Sequence, residues 1–243
     1  MKLSSYISVD CVVLGYDSEQ LNVLLVERKL DDKVNDSPFE PDWTLTGNHV
    51  YLDEDIEEAA NRVLYDLTGF SEIYLEQFKT FAAPDRLLKP KDQVWLKSIG
   101  MDPLKRVVTI GFFALLATQK VSLKWMGRNV KWTPVKEVGD LAFDHNQILD
   151  SALIAIRNKM RHEPLGFELL PEKFTLTQLQ QVYEQIFDAK FDKRNFRKKV
   201  NRMQYVIALD EKQKGVPHKP AQLYKFSREI YEQTKRELLE FFV

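Results

Sequence analysis

The sequence predicts an α+β protein in two domains, and three observations predict it. Apolar runs at strand spacing alternate with helical patterns over the first two thirds of the chain. The stretch "EPLGFELLP" (163–171), with two prolines and a glycine, then interrupts all periodicity. After it come a helix, a short break, a basic helix, a strand, a basic loop and another strand. We place the domains at 1–160 and 161–243, a comfortable division for 243 residues.

Composition narrows the class. With 44% apolar and 29% charged residues, the chain can bury a core and remain a soluble globular protein. The longest apolar run, "VVTIGFFALLA" (Val107 to Ala117), is too short to span a bilayer, so no membrane partner is expected. The alternating N-terminus "MKLSSYISVDCVVLGY" reads as a strand and not as a signal peptide. Cys11 is the lone cysteine, which rules out an internal disulfide and points to a reducing, cytoplasmic setting. On the first strand it reads as a small buried hydrophobe. Four histidines and one cysteine show no zinc spacing, so neither a metal nor a cofactor is expected.

The elements follow in order. "SVDCVVLGY" and "LNVLLVER" are strands joined through "DSEQ" as a hairpin. Residues 30–42, polar with two prolines, read as a loop, and "WTLTGNHV" as a short strand entering a turn at Gly47 and Asn48. "DEDIEEAANRVLYDLTG" is a helix with acids in its first turn and Gly69 at its C-terminal cap. Ile56, Ala59, Ala60, Val63, Leu64 and Leu67 form its buried face. A strand, "YLEQFKTFAA", leads to a long polar loop at 84–106, then to the buried strand at 107–117 and to "VKWTPVKEV". "DLAFDHNQILDSALIAIRNKMRH" turns into a helix ending near Met160. In the second domain "FTLTQLQQVYEQIF" is an amphipathic helix capped by Thr175 or Thr177, and "KRNFRKKVNRM" is the basic helix. "YVIALD", "EKQKGVPHKPA" and "LYKF" close a basic hairpin, which completes the order of a winged helix-turn-helix.

The stretch 48–70 resembles the Nudix signature, G-x5-E-x7-R-E-U-x-E-E-x-G-U, where U is aliphatic. Asn48 stands at the first position, Glu54 at the first glutamate, Arg62 at the arginine, and Gly69 and Phe70 at the end. Val63 replaces the glutamate after the arginine, and Asp66 and Leu67 replace the later pair. The resemblance implies a Nudix-like α/β/α sandwich over about residues 1 to 160. In such enzymes helix carboxylates hold divalent metal against a pyrophosphate. Apolar residues at 63 and 67 remove ligands, so metal-dependent hydrolysis is not expected and no catalytic residue is assigned. The plain alternative for Arg62 and Asp66 is an i, i+4 ion pair on an ordinary helix.

Charge points to a partner. Between Lys190 and Lys225 eleven Lys or Arg face three acids, a net +8 on a chain whose total is −1. Lys193, Arg194, Arg197, Lys198 and Arg202 fall largely on one side of the basic helix, and Phe196, Val200 and Met203 on the other. Cations at this density suit phosphate contact, and arginine or asparagine side chains, Asn195 among them, can read base edges. Lys214, His218 and Lys219 would reach DNA from the hairpin tip. A solvated charged face is the bland reading, and the helix-turn-helix context outweighs it.

The two halves together resemble the Nudix-related transcriptional regulators of bacteria, over nearly the whole chain. "LAFDH" (Leu141 to His145), "RVLYDLTG" and "FTLTQLQQVYEQIFDAKFDKRNFRKKV" carry the resemblance to the sugar-responsive branch typified by the L-arabinose utilisation regulator. It implies a homodimer on double-stranded operator DNA, controlled by a small effector such as a pentose or an ADP-ribose-like metabolite. Nudix hydrolysis of ADP-ribose is the alternative. Effector contacts are expected at Trp43, His49, Glu54, Arg62, Asp66, Asp85 and Arg86, and a structural role is expected for His145.

Overall fold

The computed structural model describes residues 3–28, 41–69, 73–117, 129–217 and 219–241. Most of the loop read at 30–42 lies outside these residues, as do Phe70 and His218. Among the described residues are nine strands and six α-helices. They are β1 (Leu3–Tyr16), β2 (Leu21–Arg28), β3 (Asp42–Thr44), β4 (Thr46–Tyr51), α1 (Ile56–Thr68), β5 (Tyr74–Phe81), α2 (Pro90–Ser98) and β6 (Val108–Ala117). Then follow β7 (Val130–Pro134), α3 (His145–Lys159), α4 (Leu176–Phe187), α5 (Lys193–Val200), β8 (Val206–Lys212), β9 (Gln222–Phe226) and α6 (Arg228–Phe241).

Seven strands form one sheet along the path β3-β2-β1-β6-β5, with β4 added to β1 and β7 to β2. β1 is the hub. Ile7 to Tyr16 run parallel to Val108 to Ala117 of β6. Its other edge is divided: Ser8 to Cys11 pair with β4, and Leu14 to Tyr16 pair with β2. Alternation along β1 sends Val9, Cys11 and Val13 to one face and Val12, Leu14 and Tyr16 to the other. The first face packs on Ala59, Ala60, Val63, Leu64 and Leu67 of α1. The second packs on Ile148, Leu149, Ala152, Leu153 and Ile156 of α3. Helix, sheet and helix make three layers.

Local sequence closes each helix. Asp55 and Glu58 form a reciprocal capping box at the start of α1, and Gly69 ends it at φ 73°, where a Cβ would be strained. Thr175 and Gln178 form the same box on α4, which assigns the cap to Thr175. Asp192 caps α5 by accepting from the Asn195 amide at 2.8 Å.

Two expectations are corrected. Gly47 and Asn48 are strand residues paired with Asp10 and Val9, and the chain turns later, at 52–54. Glycine at 47 answers a packing demand, since a Cβ there would stand 2.0 Å from an Asp10 carboxylate oxygen. The polar stretch at 84–106 is not all loop, because it holds α2 with Pro90 in its first turn. In the stretch 163–171, where the periodicity breaks, Leu165, Phe167, Leu169 and Leu170 are buried, the first three in a 3-10 helix spanning Leu165–Leu169. They join the α3-side core to Leu176, Leu179, Val182 and Ile186 of α4 and to Val200 of α5. Each such buried aliphatic side chain contributes about 1.5–3 kcal/mol.

In the C-terminal unit Phe196 of α5 packs on Tyr183 and Phe191, and Phe167 stacks on Phe226 at 4.6 Å between ring centroids. β8 and β9 form an antiparallel hairpin, extended by a bridge between Phe174 and Tyr224. α6 then follows, with Tyr231 packed on Tyr205 and Phe226.

Candidate effector site and nucleic-acid interface

Arg62 organises the first site. From the middle of α1 its Nε and Nη2 donate to the two oxygens of Glu54 at 2.9 and 2.6 Å, and Nη2 also donates to the His49 carbonyl at 3.1 Å. Asp66 stands one turn on, with an oxygen 3.9 Å from Nη1. The guanidinium lies 4.1 Å from the centre of the Tyr51 ring, a residue the sequence reading missed. Glu54 also accepts from the Tyr51 amide at 2.8 Å. The Arg62 hydrogen bonds hold the Glu54 carboxyl below the usual glutamate range. Four of the seven expected effector residues, His49, Glu54, Arg62 and Asp66, thus stand together.

A divalent cation, which the Nudix resemblance implies, does not fit these residues. Both Glu54 oxygens face Arg62. Val63 and Leu67 are buried in the core, and the Asp66 side chain is half exposed. Among the described residues no group of three or more His, Cys, Asp or Glu could hold a metal ion.

Trp43, Asp85 and Arg86 belong elsewhere. Trp43 is half-buried on β3; its carbonyl accepts from the Ala142 amide and its ring carries Lys131 Nζ at 3.8 Å. Asp85 is exposed. Arg86 points inward: it donates to Asp144 at 3.0 and 2.8 Å and to Thr109 at 3.0 Å, and lies 3.6 Å from Asp10. An arginine so engaged holds the fold together and leaves little for a ligand. His145 completes this buried network. The Leu45 amide donates to its Nδ1 at 3.0 Å, which places the ring proton on Nε2, 3.7 Å from Asp10. Burial lowers the His145 pKa and keeps the ring neutral. A second inward arginine, Arg28, pairs with Asp42 and with buried Asp92 of α2, which explains why an acid there sits inside.

The basic site is built on α5. Val200 is buried and Phe196 is half-buried against α4, so the opposite side of the helix is left to water. That side is an open depression lined by Lys193, Arg194, Arg197, Lys198 and Arg202, with Asp192 and Asn201 beside them. Asn195 is exposed next to the cap. The turn before α5 is fixed by Glu184, which accepts from the Phe191 amide at 2.9 Å, from Gln180 at 2.9 Å and from Lys190 at 3.1 Å. These bonds, the Phe191 amide first, hold the Glu184 carboxyl below its ordinary range. Lys214 and Lys219 are exposed on the connection between β8 and β9. Cations held outward on an ordered helix, next to a basic hairpin, can neutralise a row of phosphates.

Comparisons with known proteins agree with this fold. Residues 166–226 match the family described as the NrtR DNA-binding winged helix domain. The chain is 30% identical to the ADPR responsive transcriptional repressor NtrR of Acinetobacter baylyi, over 98% of its own length and 88% of that protein's. It is similar to the crystal structure of Shewanella oneidensis NrtR complexed with a 27mer DNA, at TM-score 0.71 and 28% identity over 91% of this chain and 93% of that one. It is also similar to a MutT/nudix family protein from Enterococcus faecalis, at TM-score 0.63 and 26% identity over 91% and 88% of the two chains. A Nudix domain followed by a winged helix defines the class. The chain belongs to the NrtR-type, Nudix-related transcriptional regulators.

Proposed function

We propose that the chain is an effector-controlled repressor whose Nudix domain binds an ADP-ribose-like nucleoside diphosphate and whose winged helix binds operator DNA. The observation that carries this reading is the opposition between two helix faces. On α1 two of the three positions that hold metal ligands in the Nudix pattern, Val63 and Leu67, are buried and apolar, whereas five cations on α5 and the turn after it stand open to solvent. The Acinetobacter relative is ADPR responsive, which favours that effector class over the pentose of the sugar-responsive branch. Around Arg62, the proposed contacts are His49, Glu54, Asp66 and the Tyr51 ring. Lys193, Arg194, Asn195, Arg197 and Lys198 would meet DNA from α5 and Arg202 from the turn after it, with Lys214, His218 and Lys219 as the further contacts. The chain acts as a homodimer, because two half-sites on one face of a duplex match a two-fold protein. The division of labour falls near residue 160.

Fluorescence anisotropy with DNA fragments from the protein's own locus tests the reading. Sequence-selective, salt-sensitive binding that weakens when ADP-ribose is added is expected. Binding without selectivity, or magnesium-dependent turnover of ADP-ribose that disappears in Glu54→Gln, would contradict it.

A further inference from the structure

The C-terminal end of α4 is fastened to the Nudix body at three points. Arg157, in the last turn of α3, donates from Nε to the Ile186 carbonyl at 2.6 Å. That carbonyl belongs to the last turn of α4, where intrahelical amides have run out and an acceptor needs an outside donor. Lys136, in the 3-10 turn after β7, pairs with Asp188, the left-handed residue (φ 49°) at which the chain leaves α4. Gln185 reaches the Glu19 carbonyl in the β1–β2 turn at 3.4 Å. Beyond Asp188, the Glu184 bonds carry the constraint directly to Phe191 and the start of α5.

α3 connects this fastening to the other site. At its first turn Asp144 and His145 hold Arg86, Asp10 and the Leu45 amide. Leu45 leads into β4, where Gly47 packs on Asp10 and His49 gives its carbonyl to Arg62. A shift of β4 on effector binding would therefore press on the start of α3, and the end of α3 holds the helix-turn-helix. The intervening stretch cannot act as a free swivel, because Leu165, Phe167 and Leu169 are packed in the core.

We infer that Arg157 is the positioning residue through which the Nudix body sets the orientation of α5, with Lys136 in a supporting part. Arg157 ranks first because its bond is partly buried, whereas Lys136 and Asp188 are 67% and 61% exposed and an exposed pair is weak and screened. The inference rests on the reading that an effector in the body controls operator binding.

The test compares the full-length protein with Arg157→Ala and Lys136→Ala. The first readout is the ratio of operator dissociation constants with and without saturating ADP-ribose. Unaltered protein should show a ratio within the roughly 5–150-fold span of typical couplings. Arg157→Ala should bind ADP-ribose normally, yet its ratio should fall toward one, and Arg157→Lys should recover part of it. Lys136→Ala should lower the ratio less. A merely structural role would change affinities without removing their coupling. The second readout needs no effector: amide exchange over 176–200 should accelerate in Arg157→Ala while β1 and β6 stay protected. An unchanged ratio, or unchanged exchange over 176–200, would overturn the inference. If ADP-ribose leaves operator binding of the unaltered protein untouched, the functional reading fails, and the exchange measurement still decides whether Arg157 holds the reader.

Discussion

Helices α1 and α5 are both amphipathic, yet they differ in which face carries the specialised residues. α1 runs thirteen residues, is capped at both ends and packs Val63, Leu64 and Leu67 against the sheet. Its one cation, Arg62, is already held by Glu54. α5 runs eight residues, buries Val200 and holds its cations outward. So short a helix is marginal alone, and its shape depends on the aromatic contacts to α4 and the bonds to Glu184. α1 gives its specialised positions to packing, and α5 gives them to a surface.

The largest expected effect comes from forcing α1 back toward the Nudix pattern. Leu67 is fully buried, so Leu67→Glu places an unpaired carboxylate in the core. It should cost about 4 kcal/mol in urea-induced unfolding. A loss below about 1 kcal/mol would mean that the face is wet and the contrast with α5 is false. The reverse holds for α5. Arg194→Ala combined with Arg197→Ala should leave the unfolding midpoint unchanged but weaken operator binding at least tenfold, and should lower the salt slope by about 2. Untouched operator affinity would assign the basic face to an acidic protein partner instead. The smallest effect is expected at the rim of α1. The Glu54 pKa is depressed in the folded state, so its stabilisation is present above the ordinary glutamate pKa and is lost as pH falls through the depressed value. Glu54→Gln should cost about 1–2 kcal/mol at neutral pH and less in acid. A pH-independent cost would show that the Arg62 bonds are not what matters there.

The chain announces its elements well where caps and periodicity coincide. Asp55, Gly69 and Thr175 mark helix ends by their own chemistry, and the charge of α5 is visible because nothing nearby cancels it. The interior polar network is a different matter. Arg86 and Asp92 sit in a polar stretch that reads as a loop, Arg28 ends an apolar strand, and only the fold brings Asp42, Asp144, Thr109 and Asp10 to the two arginines. α2 is hidden for the same reason: its inward face includes Asp92, paired with Arg28, and so lacks an apolar stripe. Gly47 reads as a turn residue because close packing on a neighbouring side chain leaves the same trace in a sequence as a turn does. The prolines and glycine of 163–171 break the periodicity, and the burial of Leu165, Phe167, Leu169 and Leu170 there is hidden behind them. α6 also escapes the sequence reading.

Two linked sites must obey reciprocity, and this gives the most direct test of the account. Titration calorimetry would measure ADP-ribose binding to the free protein and to its operator complex. The account predicts that bound operator weakens ADP-ribose binding by the same factor by which ADP-ribose weakens operator binding. Equal affinity of the free and DNA-bound protein for ADP-ribose, or no binding to either, would contradict it.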